Sequence, residues 1–181
     1  MKRTEFLQKY AHPGRLLDLG CGSYFLSAGL AGEYELYPAD RDVYLYDKFV
    51  RCEAFNVPYA DGYFDTVFAG ELIEHNCNPG LLLAEINRLL RWGGRAIITT
   101  PNPYSFERMK NSLLGRDTLG NYDHYILFSP ASIEKLMIRY GFSIVGMGYK
   151  GLPRIGAHIL ACAEKVSESP AVTGLRRVEG K

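Results

Sequence analysis

The stretch from Leu16 to Gly22, which reads LLDLGCG, is the feature that most constrains how this chain can fold. Apolar residues lead into Asp18, and a Gly20-Cys21-Gly22 turn follows, as is typical of a buried strand that ends in a tight turn. Glycines in such a turn permit positive φ angles and let a ligand lie against bare backbone. Ligands of open α/β sheets bind beyond the carboxyl ends of the strands, so the turn predicts a binding site.

Apolar runs and amphipathic segments alternate along the chain. We predict strands at Arg15–Leu19, Phe64–Ala69, Arg95–Thr100, Phe142–Met147 and Ala157–Ala163, and helices at Thr4–Tyr10, Phe25–Ala31, Leu81–Arg91 and Ser132–Tyr140. This alternation predicts the α/β class, a Rossmann-like three-layer sandwich with helices on both faces of a mostly parallel sheet. The loop at 148–156 is too short for a parallel crossover, so we expect the last two strands to be antiparallel.

Length and composition exclude several other classes of protein. A chain of 181 residues fits one domain, which we place at 1–165, followed by a flexible tail at 166–181 that loses apolar periodicity. The net charge of +1 argues against nucleic acid as a partner. No apolar run approaches the ~20 residues of a membrane span or resembles a signal peptide. The 4 cysteines form no C-x-x-C pair, so we expect reduced thiols and a cytoplasmic location.

The glycine turn also restricts the chemistry of the ligand. Phe25 occupies the third glycine position of a dinucleotide fingerprint, and the chain has no Gly-Lys-Ser/Thr sequence of a phosphate-binding loop. Asp18 would repel an anionic ligand and suits a cationic one, such as the ammonium and sulfonium groups of S-adenosylmethionine. A turn that needs glycine only for chain reversal is the alternative.

Longer motifs decide between these interpretations. The segments DLGCG, NVPYADGYFDTVFAGELIEH and LRWGGRAIITTPNP, in this order, resemble the class I S-adenosylmethionine-dependent methyltransferases. The likeness is closest to a small bacterial and archaeal type whose genes often lie among glycan-biosynthesis genes. It runs from about Arg15 to Lys165 and implies a seven-stranded sheet with a reversed last strand pair. It also implies S-adenosylmethionine as the cofactor and S-adenosylhomocysteine as its product.

The resemblance assigns roles to individual residues around the cofactor. Those that would hold its methionine part are Asp18, Gly20, Cys21 and Gly22. Those of the loop that would close over its sulfonium end are Gly70, Glu71, Leu72 and His75. Tyr24 stands where many members of the family have another glycine.

The ribose and the adenine have their own candidate residues. Asp40 comes 22 residues after Asp18, about the spacing expected for an acid that binds the ribose hydroxyls, and Asp47 is the alternative. By resemblance, Glu53 would accept from the adenine amino group and the Ala54 backbone would donate. A surface role for these acids is the other possibility.

The acceptor side is expected in the long insertion at 104–125, where apolar spacing predicts a lid helix. His124 is the first candidate for a general base because histidine has an ordinary pKa of about 6.5, close to neutrality, and His75 is the second. A histidine that only braces the lid is the alternative for His124. Glu71 and His75 have helical spacing, but we find no third ligand and predict no metal site. His12 and His158 receive no functional role.

These observations predict an enzyme, an S-adenosylmethionine-dependent methyltransferase. The expected partner is a small-molecule or glycan-type acceptor methylated on oxygen, and the expected state is a monomer or homodimer. The alternative is a methyltransferase-like cofactor-binding or scaffold protein without turnover. Tyr24 and the lack of room for a helix after Asp40 motivate that alternative.

Overall fold

The computed structural model describes residues 1–22, 30, 32–42, 46–116 and 124–170. The strands are β1 Gly14–Leu19, β2 Tyr34–Asp40, β3 Val50–Arg51, β4 Phe64–Gly70, β5 Leu90–Pro101, β6 Phe142–Lys150 and β7 His158–Lys165. The helices are α1 Arg3–Tyr10, α2 Pro79–Leu89, α3 Phe106–Leu113 and α4 Pro130–Arg139, and one turn of 3-10 helix is formed by Ile73–His75.

All seven strands belong to one sheet, in the order β3-β2-β1-β4-β5-β7-β6. The first five strands of this order are parallel to one another, and β7 is antiparallel to both β5 and β6. The α/β class and the reversed last strand pair are therefore confirmed. Because β2 lies on one side of β1 and β4 on the other, the strand order reverses at β1, and a crevice forms at the carboxyl ends of β1 and β4.

Helices cover both faces of the sheet, which gives the three predicted layers. On one face, Phe6 and Leu7 of α1 are fully buried in a cluster that includes Phe68 of β4. On the other face, α2 and α4 bury apolar side chains against the larger cluster, among them Ile86 and Met137. Within the described residues, no helix combines the length and hydropathy that a membrane crossing requires.

The boundary between α2 and β5 differs from the prediction. We expected a helix through Arg91 that stops at the glycine pair, but α2 ends at Leu89 and β5 begins with the next residue. Leu90 pairs with Phe64, and the pairing then jumps to Arg95 opposite Thr66. The extra residues form a bulge that accommodates Gly93 at φ +72°. The glycine pair therefore serves an irregular strand rather than a helix end.

The edge of the sheet beyond β2 is short. Asp40 is the last residue of β2, which confirms it rather than Asp47 as the strand-end acid. Only residues 41–49 connect β2 to β3, fewer than a usual parallel crossover, and β3 accordingly forms just two pairs. The helix expected at Phe25–Ala31 lies outside the described residues except for position 30.

The start of the segment that we expected to be a loose tail is attached to the domain. Asn87 on α2 is fully buried, and its side-chain amide donates to the carbonyls of Tyr140 and Ser167, both at 3.0 Å. The side-chain oxygen of Asn87, Oδ1, accepts from the backbone N–H of Ser169 at 3.2 Å, and Ser169 is buried too. Residues 171–181 lie outside the described part, so the flexible tail stays a prediction there.

We predict that Asn87→Ala lowers the free energy of unfolding by about 2–4 kcal/mol, because three buried backbone groups lose their partner. The substitution should also release residues 166–170. Urea unfolding and limited proteolysis measure the two effects. Asn111→Ala on α3 is the matched control, and equal stability of the two variants would contradict the anchoring role of Asn87.

Candidate functional site

A cavity of about 440 Å³ lies where the carboxyl ends of β1 and β4 meet α1. The residues that line it are Lys2, Arg3, Thr4, Asp18, Gly20, Cys21, Phe68, Gly70, Glu71 and Lys150. Five of the sequence-predicted site residues are therefore brought together here, although they come from two separate strand ends. The cationic side chains from α1 and β6 are additions that the sequence motifs did not indicate.

The glycine turn has the backbone conformation that its sequence predicts. Gly20 and Gly22 have φ angles of +72° and +58°. The N–H groups of Gly20 and Cys21 both donate to the Ala39 carbonyl, at 2.8 and 3.2 Å, which fixes the turn against β2. At this positive φ a side chain on residue 20 would be strained, and its Cβ would lie 2.8 Å from a Leu72 methyl carbon, which would have to move.

Asp18 on β1 and Cys21 in the turn are both buried. Burial, together with the negative charges of Asp18 and Asp40, raises the pKa of the Cys21 thiol to about 12. The thiol is therefore neutral and a poor nucleophile, which leaves Asp18 as the side chain near the end of β1 that can pair with a cation.

Asp40 organises the neighbouring loop. Its carboxylate accepts from the backbone N–H groups of Gly22 at 2.8 Å and Asp42 at 3.0 Å. Each oxygen still has a second lone pair, so binding of ribose hydroxyls stays compatible with these bonds. Asp47, the alternative acid, is exposed.

The adenine candidates lie in the loop after β3. The Cys52 N–H donates to the Asp40 carbonyl at 2.9 Å, which places the start of this loop beside the end of β2. Glu53 is exposed and Ala54 is partly buried. Neither lines the cavity among the described residues, and their role stays a prediction.

Glu71 follows β4 in a strained backbone conformation, with a φ of +55°. Its carboxylate accepts from the Thr99 hydroxyl at 2.7 Å and lies 3.0 Å from His158 Nε2. Burial alone would raise its pKa, but the hydrogen bond and charge of His158, with the Thr99 bond, hold the pKa below its usual value. A non-glycine residue held at positive φ is typical of functional sites.

His158, for which we predicted no functional role from the sequence, is a partner of Glu71 in the structure. The antiparallel register places it opposite Pro101, at the carboxyl end of β5 and within reach of Glu71. No local motif carries that information, because it depends on how β7 aligns with β5.

Glu74, His75 and His124 form a second cluster at the same edge of the sheet. The rings of His75 and His124 meet edge to face with centroids 4.7 Å apart. Glu74 is fully buried and accepts from the Thr100 hydroxyl at 3.0 Å. Burial, with the negative charge of Glu71, raises the pKa of Glu74 to about 7.

This arrangement corrects the expected pairing of Glu71 with His75 on one helical face. The segment is a single 3-10 turn, and Glu74, which the sequence analysis did not select, joins His75 instead. His75 and His124 are absent from the described lining of the cavity. The general-base role of His124 stays a prediction.

This chain is similar in sequence to known methyltransferases. A family model described as a methyltransferase domain matches residues 2–146. The malonyl-(acyl-carrier protein) O-methyltransferase of Legionella pneumophila is 27% identical, over 63% of this chain and 45% of the relative. The ubiquinone biosynthesis O-methyltransferase of Psychrobacter arcticus is also 27% identical, over 81% of this chain and 68% of the relative. This chain thus spans about half of the first relative's length.

The fold has counterparts among solved structures. A crystal structure of an S-adenosylmethionine-dependent methyltransferase from Archaeoglobus fulgidus superposes with a TM-score of 0.70, covering 90% of each chain at 16% identity. From the family match and this likeness, the chain belongs to the methyltransferase-domain family and has the fold of the S-adenosylmethionine-dependent methyltransferases.

Proposed function

We propose that the protein transfers a methyl group from S-adenosylmethionine, bound in the cavity between β1, β4 and α1. The observation that carries the proposal is that this cavity presents a buried carboxylate, Asp18, together with the cations Lys2, Arg3 and Lys150. The amino-acid end of the cofactor carries an ammonium and a carboxylate, so it matches both charges. A purely anionic or purely cationic ligand matches only one of them.

The glycine turn and the strand that precedes it hold the methionine part of the cofactor. Asp18 accepts from the ammonium, and the bare backbone at Gly20 lets the methionine part approach closely. When bound, S-adenosylmethionine supplies an electrophilic methyl group on its sulfonium. The contribution of the chain is to align an acceptor with that methyl and to exclude water.

The acceptor side of the proposal includes α3. Its side chains Phe106, Met109 and Leu113 are exposed, and a second cavity of about 370 Å³ lies beside the helix. That cavity is lined by Pro103, Arg108, Met109, Ser112, Leu113 and Leu127. Apolar surface with a nearby cation suits an acceptor that has an apolar body and an anionic group.

The acceptor atom is proposed to be oxygen. The two sequence relatives named above, from Legionella pneumophila and Psychrobacter arcticus, are O-methyltransferases by name. A small molecule or a glycan precursor is the proposed acceptor class. A protein that binds the cofactor without turnover is the remaining alternative, and it predicts binding of S-adenosylhomocysteine with no methyl transfer to any acceptor.

We predict that intact protein binds S-adenosylhomocysteine and that Asp18→Ala weakens this binding by about 2 kcal/mol, or about 30-fold. The loss arises because a charge-assisted hydrogen bond to the ammonium disappears. Isothermal titration calorimetry measures the affinity, and circular dichroism verifies folding. Glu134→Ala, an exposed carboxylate on α4, is the control and should bind normally. Absence of binding by the wild-type protein would overturn the proposed function.

A second prediction concerns the cations. Arg3→Ala should weaken binding of S-adenosylhomocysteine about tenfold, or about 1.4 kcal/mol. It should leave unchanged the affinity for the analogue that lacks the α-carboxylate, 5′-deoxy-5′-(3-aminopropylthio)adenosine. The difference isolates the pairing of Arg3 with the carboxylate, because both ligands keep the ammonium and the adenosine.

Matched variants complete this comparison. Lys9→Ala, in the last turn of the same helix, should bind both ligands like the wild type. Lys150→Ala tests whether the cation of β6 pairs with the ligand's α-carboxylate as Arg3 does. Equal losses for the two ligands in Arg3→Ala would show that Arg3 acts by shaping α1 rather than by pairing with the carboxylate.

A further inference from the structure

We propose that Glu74, His75 and His124 bind one divalent transition-metal ion, with Zn²⁺ as the best match. One potential ligand atom from each of the three side chains lies within 4.8 Å of the others. The three residues come from two separate segments, the 3-10 turn after β4 and the chain that leads into α4. From the sequence we predicted no metal, because no further cluster of His, Cys or Glu completes a site; the fold brings His124, which is remote along the chain, into reach as the third ligand.

The chemistry of the three side chains selects the class of ion. Imidazole nitrogens suit zinc, copper, iron and nickel, and a single carboxylate is compatible with all of these. A set of three protein ligands is typical of catalytic zinc sites, where a fourth position stays open for water or substrate. Calcium and magnesium fit poorly, because they require mainly oxygen ligands.

Glu74 provides an independent indication of a missing partner. Its side chain is fully buried, and Oε2 accepts from the Thr100 hydroxyl at 3.0 Å. Oε1 is buried and has no hydrogen-bond partner within the described part of the chain. A buried polar oxygen without a partner is costly, and a bound cation satisfies it directly.

The surroundings hold the three ligands close to a binding geometry. The Tyr125 N–H donates to the Glu74 carbonyl at 2.9 Å, so the residue next to His124 is tied to the 3-10 turn. The Thr100 hydroxyl donates to Oε2 of Glu74 and so orients the carboxylate, as hydrogen-bond partners of metal ligands do. Tetrahedral zinc with bonds of about 2.1 Å separates its ligand atoms by about 3.4 Å. The widest separation therefore needs to shrink by at most about 1.4 Å, which rotation of the half-buried histidines can supply.

Metal binding changes the role expected for His124. A histidine whose lone pair coordinates an ion is not available as a general base. The ion would instead bind an acceptor oxygen at its open position and lower the pKa of that hydroxyl. This role rests on the proposed methyl transfer, whereas the binding of the ion does not.

The test uses the full chain, freed of metal by chelator and titrated with ZnCl₂ in a calorimeter and with CoCl₂ in a spectrophotometer. We expect one ion per chain and visible Co²⁺ absorption of a low-coordinate site. His124→Ala and Glu74→Gln should each weaken binding at least about 100-fold. His12→Gln, which alters a histidine ahead of β1, is the matched control and should bind like the wild type.

The outcomes separate this proposal from the proposed function. Titration of the same samples with S-adenosylhomocysteine reports whether the fold and the cofactor site are intact. Normal binding of S-adenosylhomocysteine without stoichiometric metal would overturn the metal site and leave the methyltransferase standing. Metal affinity that survives in both His124→Ala and Glu74→Gln would overturn it as well. If one variant fails to fold, the other decides, together with X-ray absorption of the wild-type zinc complex, which must show two imidazoles.

Discussion

The parallel pairing of β1 with β2 on one side and β4 on the other is the constraint on which the rest of the molecule depends. This pairing brings the carboxyl ends of two strands, distant in sequence, to the same crevice. The Gly20 turn then lies against β2 through bonds to the Ala39 carbonyl, and Glu71 emerges from β4 beside it. The cavity is a direct consequence of strand order rather than of any one loop.

Two threonines at the end of β5 hold the two glutamates that follow β4 in different places. Thr99 and Thr100 are adjacent in a strand, so their side chains point to opposite faces of the sheet. Thr99 holds Glu71 and Thr100 holds Glu74, which separates the two carboxylates across the edge of the sheet. One carboxylate has His158 as its partner and a lowered pKa, and the other is buried with a raised pKa. Two glutamates three residues apart thereby acquire different chemistry.

Helix α1 links stability to binding. Phe6 and Leu7 anchor the helix in the smaller core cluster, while Lys2 and Arg3 at its start face the cavity. The burial of Phe6 and Leu7 therefore fixes where the charges of Lys2 and Arg3, one helical turn earlier, are placed. The cavity contains both signs of charge because the ends of β1 and β4 supply the acids, whereas the start of α1 and the end of β6 supply the cations.

The local sequence determined the α/β class, the reversed last strand, the glycine turn and the positions of Asp18 and Asp40 toward the ends of their strands, because periodicity and turn chemistry depend on near neighbours. It also located α4, which was expected at Ser132–Tyr140 and spans Pro130–Arg139. Register and packing decided the rest. The bulge after Leu90, the contact of His158 with Glu71, the cations of α1 and the grouping of His124 with Glu74 all join residues far apart in the chain. Such contacts depend on how strands align and which face a side chain takes, and no short motif records either.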